Sequence, residues 1–302
     1  MKLAFSMLSH RPPDALFIKL LTWLKQFPQV TIAIHHDYSK SNFPQELIER
    51  FDLQMVQPYH KTQWGHISKL PAIIDTFKKL NSCTPDFDWL ISISPNRYPV
   101  KSRKEILEFL SSTDMDYFME NHPLGIEYGG IYKWHYQALF TKWLGKIPWI
   151  TRKGRFRWKH IRIPVDRQKT PFNDSMFPHA GSDWYIFNNK TVKRIIEADM
   201  MQHPMVKYIT QANKAPDRNS SPDEVIFQTY VKNQKDLIGS GNYHRFIDWK
   251  DAKDWHPNTI TAKHWADIKN SDALFARKFD PEESKEVIDL IDTHILNYDD
   301  CL

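Results

Sequence analysis

The sequence predicts an α/β protein built on a mainly parallel sheet flanked by helices. The first observation is that strand-like and helix-like segments alternate through the first 120 or so residues. The second is the segment DWLISIS, a continuous apolar run of strand length, typical of a parallel strand buried on both faces. The third is composition: 41% hydrophobic and 25% charged residues are ordinary for a folded globular chain.

The elements of the first half follow from hydrophobic spacing and from β-branched content. The predicted strands are, in order, KLAFSML, VTIAIHHD, LQMVQP, DWLISIS and DYFMEN. The predicted helices between and after them are DALFIKLLTWLKQF, FPQELIERF, HISKLPAIIDTFKKL and RKEILEFLSS. In such a sheet a ligand binds beyond the carboxyl ends of the strands, so residues just after each strand are the candidates for function.

The second half begins with an aromatic and basic segment, at about 125–173, that has no clear period. It is either an excursion with its own small hydrophobic cluster or a flap that binds an acceptor or a membrane surface. Regular elements then resume: the strand GSDWYIF, the helix NKTVKRIIEAD, a helix after SPDE, YHRFIDW, TAKHWADIKNS, ALFARKF and the helix PEESKEVIDLIDTHIL. With no internal repeat, we predict a single domain over 1–302 with this excursion.

Charge and cysteine content limit the classes of binding partner and the cellular compartment that we expect. The net charge of +5 suits a phosphate-bearing small molecule, an anionic polymer or a membrane surface. A nucleic-acid partner would rest only on the basic run at 152–162, so none is expected. Two cysteines, Cys83 and Cys301, allow no disulfide framework and indicate a reducing compartment. No signal-peptide pattern or membrane-spanning stretch is visible.

The sequence lacks the motifs of several common phosphate-binding and metal-binding sites. With 9 glycines and no GxGxxG or GxxxxGKS, the chain lacks the usual phosphate loops. His35, His36 and Asp37 form a candidate metal group, but neighbouring strand residues point to opposite faces, so the two histidines do not share an ion easily. The triplets DFD at 86–88 and DMD at 114–116 precede their strands, the wrong end of the sheet for a diphosphate.

The stretch NSSPDEVIFQTYVKN allows two interpretations of Glu224. Ser221, Pro222 and Glu224 fit a capping box with proline at the first helical position, which would make the glutamate a helix start. Alternatively, Glu224 accepts a proton from a substrate. The stretch ALFARKFD likewise makes Arg277 and Lys278 either part of a surface strand edge or a pair of cations for a diphosphate.

Six ordered motifs resemble one family. IAIHHDYSK, QWGHIS, FDWLISISPNRYPVKS, GSDWYIF, SPDEVIFQT and ALFARKFD are similar to conserved stretches of the core-2/I-branching β-1,6-N-acetylglucosaminyltransferases and their relatives, the peptide O-xylosyltransferases. The matches keep the family order from about residue 3 to residue 292. The resemblance implies an inverting glycosyltransferase with the GT-A fold that needs no metal and no other cofactor.

The resemblance also assigns roles. It implies the following site: Glu224 as catalytic base, Arg277 and Lys278 on the diphosphate, Asp37 and Trp64 near the nucleotide sugar, and Asp183 and Trp184 facing the acceptor. A helix dipole would lower the pKa of Glu224, so partial burial would have to restore its basicity. UDP-N-acetylglucosamine is the expected donor, with UDP-xylose second, and a glycan or lipid-linked glycan the acceptor. The alternative is a glycan- or nucleotide-binding protein without turnover.

The chain departs from the family pattern at several positions. Arg97 stands where the family motif has Asp, which fits metal independence and places this residue near phosphate, within the donor site. His66 replaces the second glycine of the WGG motif, and HPNTIT offers no clear counterpart of the family's upstream arginine. The family's cysteine framework and membrane anchor have no counterpart, so we expect a cytoplasmic, bacterial protein, with contact to the inner membrane surface if the basic segment binds lipid.

Overall fold

The computed structural model describes residues 1–124, 171–172, 175–212, 221–252 and 256–296. The segment predicted to be an excursion at about 125–173 lies almost wholly outside these residues, as does the basic run at 152–162. Cys301 also lies outside them, whereas Cys83 is an exposed free thiol.

The described strands are β1 (Leu3–Ser9), β2 (Val30–His36), β3 (Gln54–Met55), β4 (Trp89–Ile93), β5 (Arg97–Pro99), β6 (Tyr117–Met119), β7 (His122–Pro123), β8 (His179–Ala180), β9 (Tyr185–Asn188), β10 (Gly239–Ser240), β11 (Arg245–Ile247) and β12 (Phe275–Arg277). The described α-helices are α1 (Ala15–Leu24), α2 (Gln45–Arg50), α3 (Lys69–Cys83), α4 (Arg103–Ser111), α5 (Asn189–Glu197), α6 (Pro204–Ala212), α7 (Ile226–Lys232), α8 (Trp265–Asn270) and α9 (Lys285–Ile291). Most predicted elements therefore occur where their periodicity placed them. β9 is shorter than predicted, because Gly181 to Trp184 form a loop before it.

A seven-stranded sheet with the order β10-β6-β9-β4-β1-β2-β3 forms the centre of the molecule. β1 is parallel to β2 and β4, β2 is parallel to β3, and β6 is parallel to β10. β9 is antiparallel to both of its neighbours, β4 and β6. The prediction of an α/β fold with a mainly parallel sheet is confirmed.

Both faces of this sheet are buried, because alternate side chains of each strand enter different hydrophobic clusters. In β1, Leu3, Phe5 and Met7 belong to the cluster that also holds α1, whereas Ala4 belongs to the cluster that holds α3. Every residue of β4 is buried, as the apolar run predicted. The ends of these buried strands are therefore held in place by side chains packed on both faces of the sheet.

A second, three-stranded sheet has the order β11-β12-β5. β12 is parallel to β11 and antiparallel to β5, with Arg277 directly opposite Arg97. β12 is thus a central strand, and the interpretation of ALFARKFD as a surface strand edge is wrong. The pairing brings together two residues, from distant motifs, that the sequence proposed for the donor site.

Side chains cap the starts of two helices. The Asp14 carboxylate accepts a hydrogen bond from the Phe17 amide at 2.8 Å at the start of α1. Ser102 and Glu105 form a complete capping box at the start of α4. Among the described helices, none combines the length and the apolar character that crossing a membrane requires.

Candidate active site

The candidate residues come together where strands β2 and β4 end and β9 begins. β9 runs antiparallel to β4, so the loop before β9 lies at the carboxyl end of β4. Asp183 and Trp184 are in that loop, and Asp37 follows β2. Arg97 begins β5, just after the turn that ends β4. The sheet therefore gathers at one edge residues that are widely separated along the chain.

The SPDE stretch forms a tight turn of its own and not the start of a long helix. Pro222–Glu224 is a 3₁₀ turn, and α7 begins only at Ile226. Ser221 has a left-handed backbone, with φ of 42°, and makes no side-chain capping bond. The predicted capping box is therefore wrong, because left-handed Ser221 does not bring its hydroxyl to the amide at the third position.

Backbone hydrogen bonds fix this turn against two other loops of the site. The Ser221 amide donates to the Gly65 carbonyl at 3.0 Å, and the Gly181 amide donates to the Glu224 carbonyl at 2.9 Å. The position of the Glu224 side chain is thus set by the loop of Trp64 and by the loop of Asp183. A glutamate that makes no capping bond but is held by two loops of the site is a candidate functional group.

The pKa of Glu224 is raised from 4.5 to about 7. Desolvation by the surrounding protein atoms is the main cause, and the negative charges of Asp183 and Asp223 add to it. Lys69 and a hydrogen bond from Ser221 act in the opposite direction. Glu224 is nevertheless an exposed residue at the edge of the site, so an acceptor can approach it. Desolvation by neighbouring atoms outweighs the lowering of its pKa by Lys69 and Ser221.

Lys69, the first residue of α3, holds the two aspartates beside Glu224. Its ammonium group pairs with the Asp223 carboxylate and lies 3.3 Å from Asp183 Oδ2. Burial would lower the pKa of Lys69, but the two carboxylates outweigh it and raise it. Burial would likewise raise the pKa of Asp183, but the charges of Lys69 and two arginines lower it. Asp183 therefore stays ionised at neutral pH.

Two arginines lie near the Trp184 ring, and the charge of a third, Arg245, acts on one of them. Arg97 is fully buried, and its guanidinium carbon lies 3.1 Å from the centre of the Trp184 ring. The Arg277 guanidinium carbon lies 5.5 Å from the same ring centre. Desolvation, followed by the charges of Arg277 and Arg245, lowers the pKa of Arg97 well below its usual value. The site is therefore a region of concentrated positive charge beside the carboxylate group.

Lys278 continues the chain from Arg277 and is partly exposed. Its backbone carbonyl accepts a hydrogen bond from the Ile260 amide at 2.8 Å. Within the described ranges, no ion pair or hydrogen bond of its ammonium group is found. The cation is available for an anionic ligand.

Asp37, which the resemblance places near the nucleotide sugar, is bound by residues of its own neighbourhood. It is fully buried, and its carboxylate accepts hydrogen bonds from Ser39 and from Thr62, the latter at 2.8 Å to the amide and 3.0 Å to the hydroxyl. Burial raises its pKa, but these hydrogen bonds outweigh that and lower it. Asp37 thus anchors the loop that leads to Trp64, whose side chain is 54% exposed and lies 6.0 Å from the His256 ring, between centroids.

The two histidines before Asp37 have separate partners, as strand alternation predicted. His35 Nε2 accepts a hydrogen bond from the His60 amide, and His36 bonds to Ser9 and to the Ser41 carbonyl. In the part of the chain that the structure describes, no group of three or more histidine, cysteine or acidic residues could hold a metal ion. Independence from metal stays a prediction.

Sequence reasoning missed three residues of this site: Lys69, Asp223 and Arg245. Lys69 directly follows the QWGHIS motif and Asp223 lies inside SPDE, so both were in motifs whose neighbours were chosen. Arg245 sits in YHRFIDW, which had been assigned only as a strand. No local pattern marks it.

The fold and the site together define the class of protein. A mainly parallel sheet flanked by helices, with a carboxylate of raised pKa and a set of cations at its carboxyl edge, is the arrangement of a GT-A-type glycosyltransferase. A sequence profile described as "Core-2/I-Branching enzyme" matches residues 3–273. The chain belongs to the core-2/I-branching enzyme family.

Individual relatives are distant. The chain is 22% identical to xylosyltransferase 2 of Rattus norvegicus over 83% of its own length and 28% of the rat protein. It is 24% identical to beta-glucuronosyltransferase GlcAT14A of Arabidopsis thaliana over 70% of its length and 43% of the plant protein. It is 21% identical to xylosyltransferase oxt of Drosophila melanogaster, spanning 30% of that protein. These relatives are named as glycosyltransferases, the chain spans less than half the length of each of them, and the likeness does not fix its donor sugar.

Proposed function

We propose that this protein is an inverting, metal-independent glycosyltransferase that moves a sugar from a UDP-sugar to a hydroxyl group of a glycan acceptor. The observation that carries the proposal is Glu224: a carboxylate at the sheet's active edge, with a pKa raised to about 7 and no capping role. A group of this pKa is about half ionised at neutral pH, which is the range that suits a general base.

The proposed step is a direct displacement. The Glu224 carboxylate takes the proton of the acceptor hydroxyl, and that oxygen forms a bond to the anomeric carbon of the donor sugar. The bond from this carbon to the UDP oxygen breaks on the opposite face, so the configuration inverts. UDP leaves with the bonding electrons, and Arg277 and Lys278 stabilise the charge that develops on its diphosphate.

The remaining residues have supporting roles in this proposal. Asp183, ionised beside Lys69, accepts a hydrogen bond from the acceptor, and Trp184 offers it a flat apolar face. Trp64, more than half exposed, lies near the nucleotide sugar. Asp37 acts through the loop that it anchors, since its oxygens already bind Ser39 and Thr62. Arg97 belongs to the donor side.

The donor is proposed to carry N-acetylglucosamine, the sugar of the branching enzymes that the motifs resemble. Xylose and glucuronic acid are the alternatives, because the relatives include xylosyltransferases and beta-glucuronosyltransferases. The acceptor is proposed to be a glycan, or a lipid-linked glycan met at the inner membrane surface by a cytoplasmic protein. A binding protein without turnover is the alternative outside enzymes.

A thermal-shift screen with UDP-sugars, followed by a transfer assay on those that bind, tests the proposal. UDP and at least one UDP-sugar should raise the melting temperature by mass action, and the shift should persist in EDTA. A shift that requires Mn²⁺ or Mg²⁺ would contradict the metal-free mechanism. Binding without transfer or hydrolysis of any donor would favour the non-catalytic alternative.

A further inference from the structure

We propose that Arg97, Arg277 and Trp184 form an oxyanion site that takes a negatively charged group of the donor. This inference rests on the proposed function, since it concerns the donor of that reaction, and it adds a third cation to the pair already assigned to the diphosphate. The residues that carry it are buried donors without acceptors.

Four hydrogen-bond donors converge in this cluster. Both terminal nitrogens of Arg97, the Nε of Arg277 and the indole nitrogen of Trp184 are buried and have no hydrogen-bond partner among the residues that the structure describes. Arg97 is held only through its Nε, which donates to the Ser94 hydroxyl at 3.2 Å. Buried donors that lack acceptors are rare in proteins, and guanidinium groups match carboxylate and phosphate oxygens in pairs.

A structural role explains this arrangement poorly. The register of β12 and β5 sets Arg277 opposite Arg97, and like charges directly opposite one another destabilise a sheet. The charge of Asp183 acts on both arginines, but its carboxylate makes its ion pair with Lys69. Folding therefore buries Arg97 without an anion bonded directly to it, a cost that is understandable where the protein must bind one.

Arg245, in the same cluster, shows what a structural arginine looks like here. Its terminal nitrogens donate to the carbonyls of Tyr243, His244 and Ser92, each at 3.2 Å. These bonds tie β11 to the end of β4. Arg245 is thus a matched control for Arg97: both are buried arginines, but Arg245 lacks an acceptor only at its Nε, whereas Arg97 lacks one at both terminal nitrogens.

The oxyanion has two sources within a UDP-sugar. One is the diphosphate itself, which would then meet three cations. The other is a carboxylate on the transferred sugar, since Arg277 and Lys278 already match the two charges of the diphosphate. In either case the Trp184 ring lies against the Arg97 guanidinium, within the same cluster.

The test compares wild type, Arg97→Met and Arg245→Met by thermal shift and calorimetry. The probes are UDP, UDP-N-acetylglucosamine, UDP-glucuronic acid and inorganic pyrophosphate, at constant ionic strength. Without ligand, Arg97→Met should melt above wild type because a buried unpaired charge is gone, and Arg245→Met below it because paired bonds are lost. Arg97→Met should also weaken binding of the charged probe about thirtyfold or more. Arg97→Lys keeps the positive charge but loses the paired donors of the guanidinium group, so its affinity for the charged probe should lie between those of wild type and Arg97→Met. This variant replaces Arg97→Met in the test if the methionine variant does not fold.

The probes separate the two sources. Equal loss of affinity for all four assigns Arg97 to the diphosphate, and loss confined to UDP-glucuronic acid assigns it to a sugar carboxylate. Wild-type affinity of Arg97→Met for every probe, or a wild type that binds none of them, would overturn the site. Pyrophosphate binding that depends on Arg97, in a protein that neither binds nor transfers any UDP-sugar, would instead refute the proposed function and leave this site standing.

Discussion

Replacing Glu224 with glutamine tests the proposed base with the least disturbance. The substitution keeps the size of the side chain and removes the proton acceptor. The turn should survive, because the hydrogen bonds that hold it, from the Ser221 amide and to the Glu224 carbonyl, belong to the backbone. Transfer should fall about a hundredfold to ten-thousandfold, the range for a lost general base. Binding of UDP should be unchanged.

The raised pKa of Glu224 adds a pH signature to the same prediction. With a pKa of about 7, the wild-type base is ionised in only about a tenth of molecules one pH unit lower. Wild-type kcat should therefore fall about tenfold for each pH unit below that value. The glutamine variant should lack this acid limb.

Stability should change in the opposite direction from activity. The folded-state pKa of Glu224 lies above its ordinary value of 4.5, so the folded protein binds more protons between pH 4.5 and about 7. Wild-type stability is therefore lost as pH rises through this window, and the penalty persists above it. Glu224→Gln carries no such penalty. The variant should be more stable than wild type at pH 8 and no more stable at pH 4.5.

The measurements are a transfer assay across pH and chemical denaturation at pH 4.5 and pH 8. Glu105→Gln is the matched control, because it makes the same chemical change at a glutamate of the capping box that starts α4. It should leave transfer and its pH profile intact. Near-wild-type turnover of Glu224→Gln, or an unchanged acid limb, would show that Glu224 is not the base.

Three further substitutions test other parts of the site. Lys278→Ala should weaken UDP binding in calorimetry and slow transfer together, since the cation meets phosphate in ground and transition states alike; unchanged affinity would place the phosphate contact elsewhere. Lys69→Met should lower the free energy of unfolding by about 3–5 kcal/mol, because it leaves the buried carboxylates of Asp223 and Asp183 without their cation, and Lys69→Arg should recover part of this. If Lys69→Met lowers the free energy of unfolding by less than about 1 kcal/mol, the prediction is wrong and the ion pair is weak and screened by solvent. Ser221→Gly should leave the free energy of unfolding unchanged or raise it by up to about 1 kcal/mol in a melting experiment, because glycine adopts a φ of 42° without the cost that a β-carbon adds. A clear fall in this free energy would show that the hydroxyl contributes more than the backbone conformation.

The class of fold follows from local sequence patterns, because hydrophobic periodicity is a local property. Alternation in β1, the unbroken apolar run of β4 and the helical spacing of α1 each follow from whether a side chain faces one cluster, the other or both. The order of the elements then allowed little other than a mainly parallel sheet. Ordered motifs placed Glu224, Arg277 and Lys278 at its active edge.

How those residues are held and charged depends on the tertiary structure. Ser221 turned out left-handed, since the SPDE stretch is held by Gly65 and Gly181, which lie far away in sequence and override a local capping pattern. The pairing of Lys69 with Asp183 and Asp223 joins three segments of the chain. The register that sets Arg97 opposite Arg277 joins two further segments. Charge, burial and pKa depend on distances through space, and distances of that kind cannot be read from spacing along the chain.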